Sequence, residues 1–223
     1  MESKPPRLLF FATIVVFLVI LGVGYVSCGS DLGDSIAINT QGQPTIGYSK
    51  ARVHLVLFEE PKCINCKTFN EKVFPRIKKE FIDTNKITYT VIPVAFLPGS
   101  MPAAVALLCA YYLDPLYPND ALFFTYLDYM YAHQPDEGID WASREKLLEF
   151  AKEASPAIDL EKLAQCIDRE QYRVKILKNT EYGRKLMGGT IATPTLYVNG
   201  IMVEKLTYSE IQKLINEVSG KGS

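Results

Sequence analysis

The hydrophobic rhythm of the chain changes between Val53 and Phe81. Val53–Phe58 (VHLVLF) is an apolar run of β-type residues, and Glu59-Glu60-Pro61 follows as a short acidic break. Beyond the break, Phe69, Val73, Phe74, Ile77 and Phe81 recur at roughly helical spacing. The pattern predicts a strand, a tight turn and a helix running to about Thr84. Upstream, Ser35–Thr40 (SIAINT) alternates as a short strand, with a turn at Gln41–Pro44. Downstream, Lys86–Val94 (KITYTVIPV) is rich in β-branched residues and predicts the next strand. From Met101 to about Gly188 the rhythm is helical, with helices expected over 103–113, 118–133, 143–154, 160–167 and 172–187. The Tyr/Phe stripe from Tyr111 to Tyr131 fits helix packing. Strands return in Thr193–Val203, where Asn199-Gly200 between two apolar runs is a hairpin signal, since both central positions of a type I′ turn need positive φ. Thr207-Tyr208-Ser209-Glu210 matches a capping box and opens a last amphipathic helix through Val218. The order is β, β-α-β, a block of helices, β-β-α.

The N-terminus stands apart. Lys4 and Arg7 precede an uncharged apolar run, Leu8–Val26, and Asp31 and Asp34 follow it. The run is long enough to cross most of a ~30 Å hydrocarbon core at ~1.5 Å per residue. The basic flank places the N-terminus in the cytoplasm and the rest outside. A cleaved secretory signal is the second reading. The third is a lipoprotein, because Cys28 sits behind Val26-Ser27 and before Gly29, although Tyr25 stands where that motif prefers leucine. All three put the domain where disulfides persist. The expected organisation is an anchor or signal with its tether over 1–34, and one domain over 35–223 with its helical insertion at about 100–188.

The chain has 223 residues, is 48% hydrophobic and has a net charge of −1. That suffices for one domain with a substantial core. The charge balance argues against a nucleic acid partner, and no phosphate-binding glycine loop occurs. No cofactor is expected.

The candidate chemistry lies in cysteine. Cys63-Ile64-Asn65-Cys66 falls on the first turn of the helix after Val53–Phe58. Unpaired N–H groups and the helix dipole stabilise a thiolate there, and a thiolate is the species that attacks a disulfide. Cys63, nearer the helix start, is the expected nucleophile, and Cys66 the resolving thiol. Half of a zinc site and two unrelated thiols are the alternatives, but a zinc site of this type needs a second close ligand pair. Cys28, Cys109 and Cys166 are scattered, and the only histidines are His54 and His133. His54 alternates with the apolar strand residues and suits a structural or surface role. A C-x-x-C beside a β-α pattern favours redox chemistry over metal. A carrier of a soft ion such as Cu(I) and a non-catalytic adaptor remain the other readings.

These features together resemble the DsbA-like thiol:disulfide oxidoreductases of the thioredoxin superfamily, in the membrane-associated BdbD-like branch. The resemblance covers about Pro44 to Val218. It is carried by LVLFEEPKCINCKTF, by LLCA around Cys109, by LAQC at Cys166, and by IATPTLYVNG at Ile191–Gly200. It implies a thioredoxin-like α/β fold with an all-helical insertion between the β-α-β and β-β-α halves, preceded by a transmembrane or signal helix. It implies that Pro194 is cis and faces Cys63–Cys66, and that Thr193 offers its backbone to an extended client strand. It also implies a structural disulfide between Cys109 and Cys166. Clients would be exported cysteine-containing proteins, and a quinone-linked membrane partner would reoxidise the pair. A reductase or isomerase of the same fold is the alternative.

Two positions depart from the pattern. Ile64-Asn65 supplies no cation between the cysteines, where oxidising members often carry histidine. Leu57 stands where many members hold a buried acid, which removes a proton relay. Lys62, immediately before Cys63, is a cation that would offset part of what Ile64-Asn65 lacks, but the expected reading is a solvated surface lysine. The expected result is an oxidant weaker than the strongest DsbA proteins and still more oxidising than thioredoxin.

Overall fold

The computed structural model describes residues 34–136 and 138–220. The apolar run Leu8–Val26 and Cys28 lie outside the described residues. Among the described residues no helix is long and apolar enough to cross a membrane.

Among the described residues five strands form one sheet: β1 (Thr45–Gly47), β2 (Val53–Glu59), β3 (Ile87–Pro93), β4 (Thr195–Val198) and β5 (Ile201–Met202). Their order is β1-β3-β2-β4-β5. β2 and β3 run parallel, and the other pairs are antiparallel. β2 is therefore central and covered on both faces, which is why it is a continuous apolar run. Its side chains divide between two cores. Val53, Leu55 and Leu57 join the large core on one face, and Val56 and Phe58 join Ile92, Val94 and Tyr197 on the other.

After β2 come α1 (Ile64–Lys72), a short α2 (Phe74–Ile77) and a π-helical turn over Lys78–Ile82. The sequence pattern predicts one helix here. Pro75 interrupts it, because proline has no N–H to continue the ladder and its ring clashes with the preceding turn.

Among the described residues between β3 and β4 lie five helices: α3 (Met101–Tyr111), α4 (Asp120–His133), α5 (Arg144–Ala154), α6 (Leu160–Asp168) and α7 (Arg173–Leu186). α3 is buried from Ala103 through Tyr111, and its run of small and apolar residues suits a central helix with no solvent face. Side chains of Asn119, Ser143 and Asp159 cap the starts of α4, α5 and α6. Tyr126 donates its hydroxyl hydrogen bond to the Leu147 carbonyl at 2.7 Å, so the aromatic stripe packs helix on helix. α7 returns to the sheet: Asn179 donates to the Pro93 carbonyl at 3.0 Å, and Thr180 Oγ1 accepts from the Ala95 N–H at 3.1 Å. The last helix, α8 (Tyr208–Gly220), begins after Thr207, whose Oγ1 accepts from the Glu210 N–H at 3.4 Å.

Ser35–Thr40 is not a strand. Its alternation is real, but Ile36 and Ile38 pack against the smaller core of Val56, Phe58, Ile92, Val94 and Tyr197 rather than pairing in a ladder. The segment is held by the Ile36 N–H to the Gly200 carbonyl at 3.0 Å and the Asn39 N–H to the Tyr182 hydroxyl at 2.7 Å. The edge strand is Thr45–Gly47 instead.

Asn199 and Gly200 both have positive φ, 48° and 81°. A Cβ on Gly200 would stand 2.0 Å from the Ile36 carbonyl oxygen. Gly200→Ala is expected to destabilise the protein by more than the ~1 kcal/mol of the backbone effect alone, since the N-terminal segment must also move. Urea unfolding beside Gly188→Ala, a positive-φ glycine whose Cβ would meet nothing within 4 Å, checks this.

Candidate active site

β2 delivers the chain to the site. Glu59 and Glu60 follow Phe58, and Cys63 is the N-cap of α1 with extended backbone, φ −68° and ψ 121°. Its sulfur occupies the place where a serine or aspartate oxygen would satisfy the first free N–H groups of the helix. No side chain closes a formed capping hydrogen bond. The N–H groups of Cys66 and Asn65 nonetheless stand close enough to favour charge on the Cys63 sulfur.

Cys63 is 7% exposed and Cys66 2%, and both are free thiols in this structure. The Cys63 thiol is pulled down to about 6, first by the hydrogen bond from the Cys66 thiol and then by the backbone N–H groups and Thr193, against an opposing effect of burial. The Cys66 thiol moves the other way, by burial, by its hydrogen bond to Cys63 and by the nearby charge of Glu59. One turn of helix thus separates a sulfur that ionises easily from one that does not.

Opposite the pair lies the loop before β4. Thr193–Pro194 is a cis peptide bond, and the Thr193 carbonyl oxygen lies 3.5 Å from the Cys63 sulfur. The four residues Cys63, Cys66, Thr193 and Pro194, far apart in sequence, are brought into one site. A cavity of about 330 Å³ beside it is lined by Asn65, Thr68, Phe69, Val73, Thr193, Pro194 and Leu206. Cys109 and Cys166 lie elsewhere. They join α3 to α6 through a disulfide with a Cα–Cα distance of 5.8 Å. His54 is structural, with Nε2 2.7 Å from Thr90 Oγ1. Among the described residues no group of three His, Cys, Asp or Glu side chains converges to hold a metal ion.

Two expectations are corrected. Leu57 is a core residue, but the site does hold buried acids. Glu59 is 2% exposed and Glu60 0%. The acidic stretch is no solvated break. Glu59 is the last residue of β2, and a central strand buried on both faces buries its final side chain too; that was the available signal. Burial pushes Glu59 up to about 8 and Glu60 to about 7. Lys62 is not a surface lysine: it is 2% exposed, and its Nζ donates to the Pro98 carbonyl at 2.9 Å. Its head is occupied by the loop after β3 and is not among the groups that hold down the Cys63 thiol.

The thioredoxin family profile matches residues 39–217. The chain belongs to the thioredoxin family. Within that family it is similar to disulfide bond formation protein D of Bacillus subtilis, 33% identical over 184 residues, which are 81% of this chain and 79% of the relative. Among solved structures it resembles Chlamydia trachomatis DsbA, with a TM-score of 0.76 and 36% identity over 85% of this chain and 97% of that one. It also resembles oxidised BdbD of Bacillus subtilis, with a TM-score of 0.73 and 32% identity over 84% of this chain and all of the other. This member of the thioredoxin family is a DsbA-like thiol:disulfide oxidoreductase, and the asymmetric thiol pair is its exchange chemistry.

The buried acids make stability depend on pH. Glu59 titrates near 4.5 when unfolded and near 8 when folded. Between those values the folded state keeps a proton that the unfolded state has lost. The stabilisation is whole below the lower value and drains as pH rises through the higher one. Glu60 behaves alike up to about 7. Cys63 opposes them in the reduced protein: it is ionised from about 6 when folded against 9.0 when unfolded, so it adds stability as pH rises through that window. Denaturant unfolding across this range is expected to show a steeper loss for the oxidised protein, where Cys63 does not titrate. Glu59→Gln is expected to flatten that loss by up to ~1.4 kcal/mol per pH unit.

Proposed function

We propose that this enzyme works as a net oxidant, forming disulfide bonds in exported proteins from a position outside the cytoplasmic membrane. The observation that carries the reading is the opposite displacement of the two thiols. A Cys63 thiolate stabilised in the reduced enzyme makes the closed Cys63–Cys66 disulfide ready to be reduced by a client.

In the first step a client thiolate attacks the Cys63 sulfur. The Cys63–Cys66 bond breaks, a client–Cys63 disulfide forms, and Cys66 leaves with the electron pair. Cys66 is a poor thiolate in its buried setting and takes a proton. Glu59, held protonated near neutral pH by its burial and close enough for its charge to act on Cys66, is the group to supply it. A second client thiolate then attacks the client sulfur and releases Cys63 as its stable thiolate. The Thr193 main chain pairs with the client strand, and the cavity beside Pro194 takes its neighbouring side chains.

The anchor is Leu8–Val26, retained as a single span with the domain outside. The Cys109–Cys166 disulfide supports that placement, since such bonds persist in oxidising compartments. A quinone-linked membrane partner recharges the dithiol. Trapping thiols in intact cells by acid quenching and alkylation tests the direction: Cys63–Cys66 is expected mostly closed. A mostly open pair would favour a reductase or isomerase. N-terminal sequencing of membrane-extracted protein tests the anchor, and a start near Cys28 would contradict it.

A further inference from the structure

A second cavity opens at Lys62, immediately before the nucleophile. It measures about 340 Å³, is lined by Lys62, Leu97, Pro98, Gly99, Gly138 and Asp140, and shares no residue with the cavity at the cis-proline loop. Lys62 is buried and Asp140 is exposed, so one wall is fixed and the other faces solvent. A lysine ammonium has three donors, and one of them goes to the Pro98 carbonyl.

Gly99, at φ +68°, lies beside both charges. A Cβ there would lie 2.5 Å from Asp140 Oδ1 and 3.5 Å from Lys62 Nζ. Among the described residues, neither Lys62 nor Asp140 forms an ion pair within 4.0 Å. A fixed cation and a carboxylate therefore line one cavity beside a glycine, near each other but unpaired, and a side chain at 99 would displace the carboxylate.

The charges select the ligand. A free carboxylate would be drawn to Lys62 and repelled by Asp140, and an ammonium group the reverse. A neutral amide suits both, its oxygen accepting from the ammonium and its N–H donating to the carboxylate. We propose that this cavity is a specificity subsite that holds an amide of the client, an Asn or Gln side chain near its reactive cysteine, between Lys62 and Asp140. The inference rests on the oxidoreductase reading and names a determinant of client choice for it.

The test uses the full-length oxidised enzyme and reduced two-cysteine peptides in which one Gln is walked through the positions flanking the reactive cysteine in a Leu background. Hydrogen bonds to charged groups are the stronger class, so one Gln position is expected to lower KM about tenfold with kcat unchanged. Glu or Lys at that position should not reproduce the gain. In Lys62→Met and in Asp140→Asn, KM for the Gln peptide is expected to rise to that of the Leu parent. A structural disturbance of the Cys63 loop would appear in kcat and in the thiolate titration instead. Equal KM values for all peptides with the native enzyme, or a Gln preference that survives both substitutions, would overturn the subsite. A native enzyme that oxidises none of the peptides would overturn the oxidase reading, and the subsite with it.

Discussion

Cys66→Ala is expected to accumulate client proteins joined through Cys63, while Cys63→Ala accumulates none. Once Cys66 is gone, nothing inside the enzyme resolves a mixed disulfide. Once Cys63 is gone, the remaining thiol is buried, protonated and 2% exposed. The same asymmetry sets a rate profile. Alkylation of Cys63 in the reduced enzyme by iodoacetamide, followed by mass, should track a thiolate titrating near 6, because Cys63 is held down first by the Cys66 thiol and then by the backbone N–H groups at the start of α1. Non-reducing electrophoresis with mass spectrometry of the adducts checks the first outcome. Adducts on Cys66 in the Cys63→Ala protein would reverse the roles.

The second large effect is on stability. Cys109 and Cys166 are 57 residues apart and tie α3 to α6 in the helical insertion. Closing a loop of that length removes freedom from the unfolded chain worth about 4 kcal/mol in the chain-entropy model. The Cys109→Ala/Cys166→Ala double variant is therefore expected to unfold at a lower urea concentration with a loss of that order. Replacing both residues avoids a stray thiol that could pair with Cys63. The unfolding midpoint and slope measured together decide it. A loss below ~1 kcal/mol would show that the unfolded chain is already constrained, or that the helices hold their place without the bond.

The two halves of the fold and the order of elements were legible because their signals are local and periodic. Apolar runs of β-type residues mark β2 and β3, Asn199-Gly200 marks the hairpin, and the Thr207 capping box marks the last helix. Ser35–Thr40 misled because alternation reports a half-buried surface, and packing Ile36 and Ile38 onto the smaller core half-buries that surface without a strand ladder. Pro75 breaks a segment whose helical spacing alone predicts one helix. At the site, the cysteine pair and Thr193-Pro194 could be found as motifs. Glu59, Glu60 and Lys62 could not be placed by residue type, since charged side chains are seldom buried. Their burial comes from position: the last residue of a central strand, and a loop covered by α4 through the Tyr131 hydroxyl to the Glu60 carbonyl and Gln134 to the Lys62 carbonyl. The acid sought at Leu57 stands two residues on, at the end of the same strand.

The reduction potential of the Cys63–Cys66 couple tests the central claim. Stabilising the Cys63 thiolate favours the reduced enzyme and raises the potential by ~30 mV for each ~1.4 kcal/mol, and the missing cation between the cysteines limits that gain. Equilibration of the purified domain with glutathione buffers at neutral pH, read by mass after alkylation, is predicted to give a value between about −270 mV, that of thioredoxin, and about −120 mV, that of the strongest DsbA oxidant. A potential at or below the thioredoxin value would contradict the account.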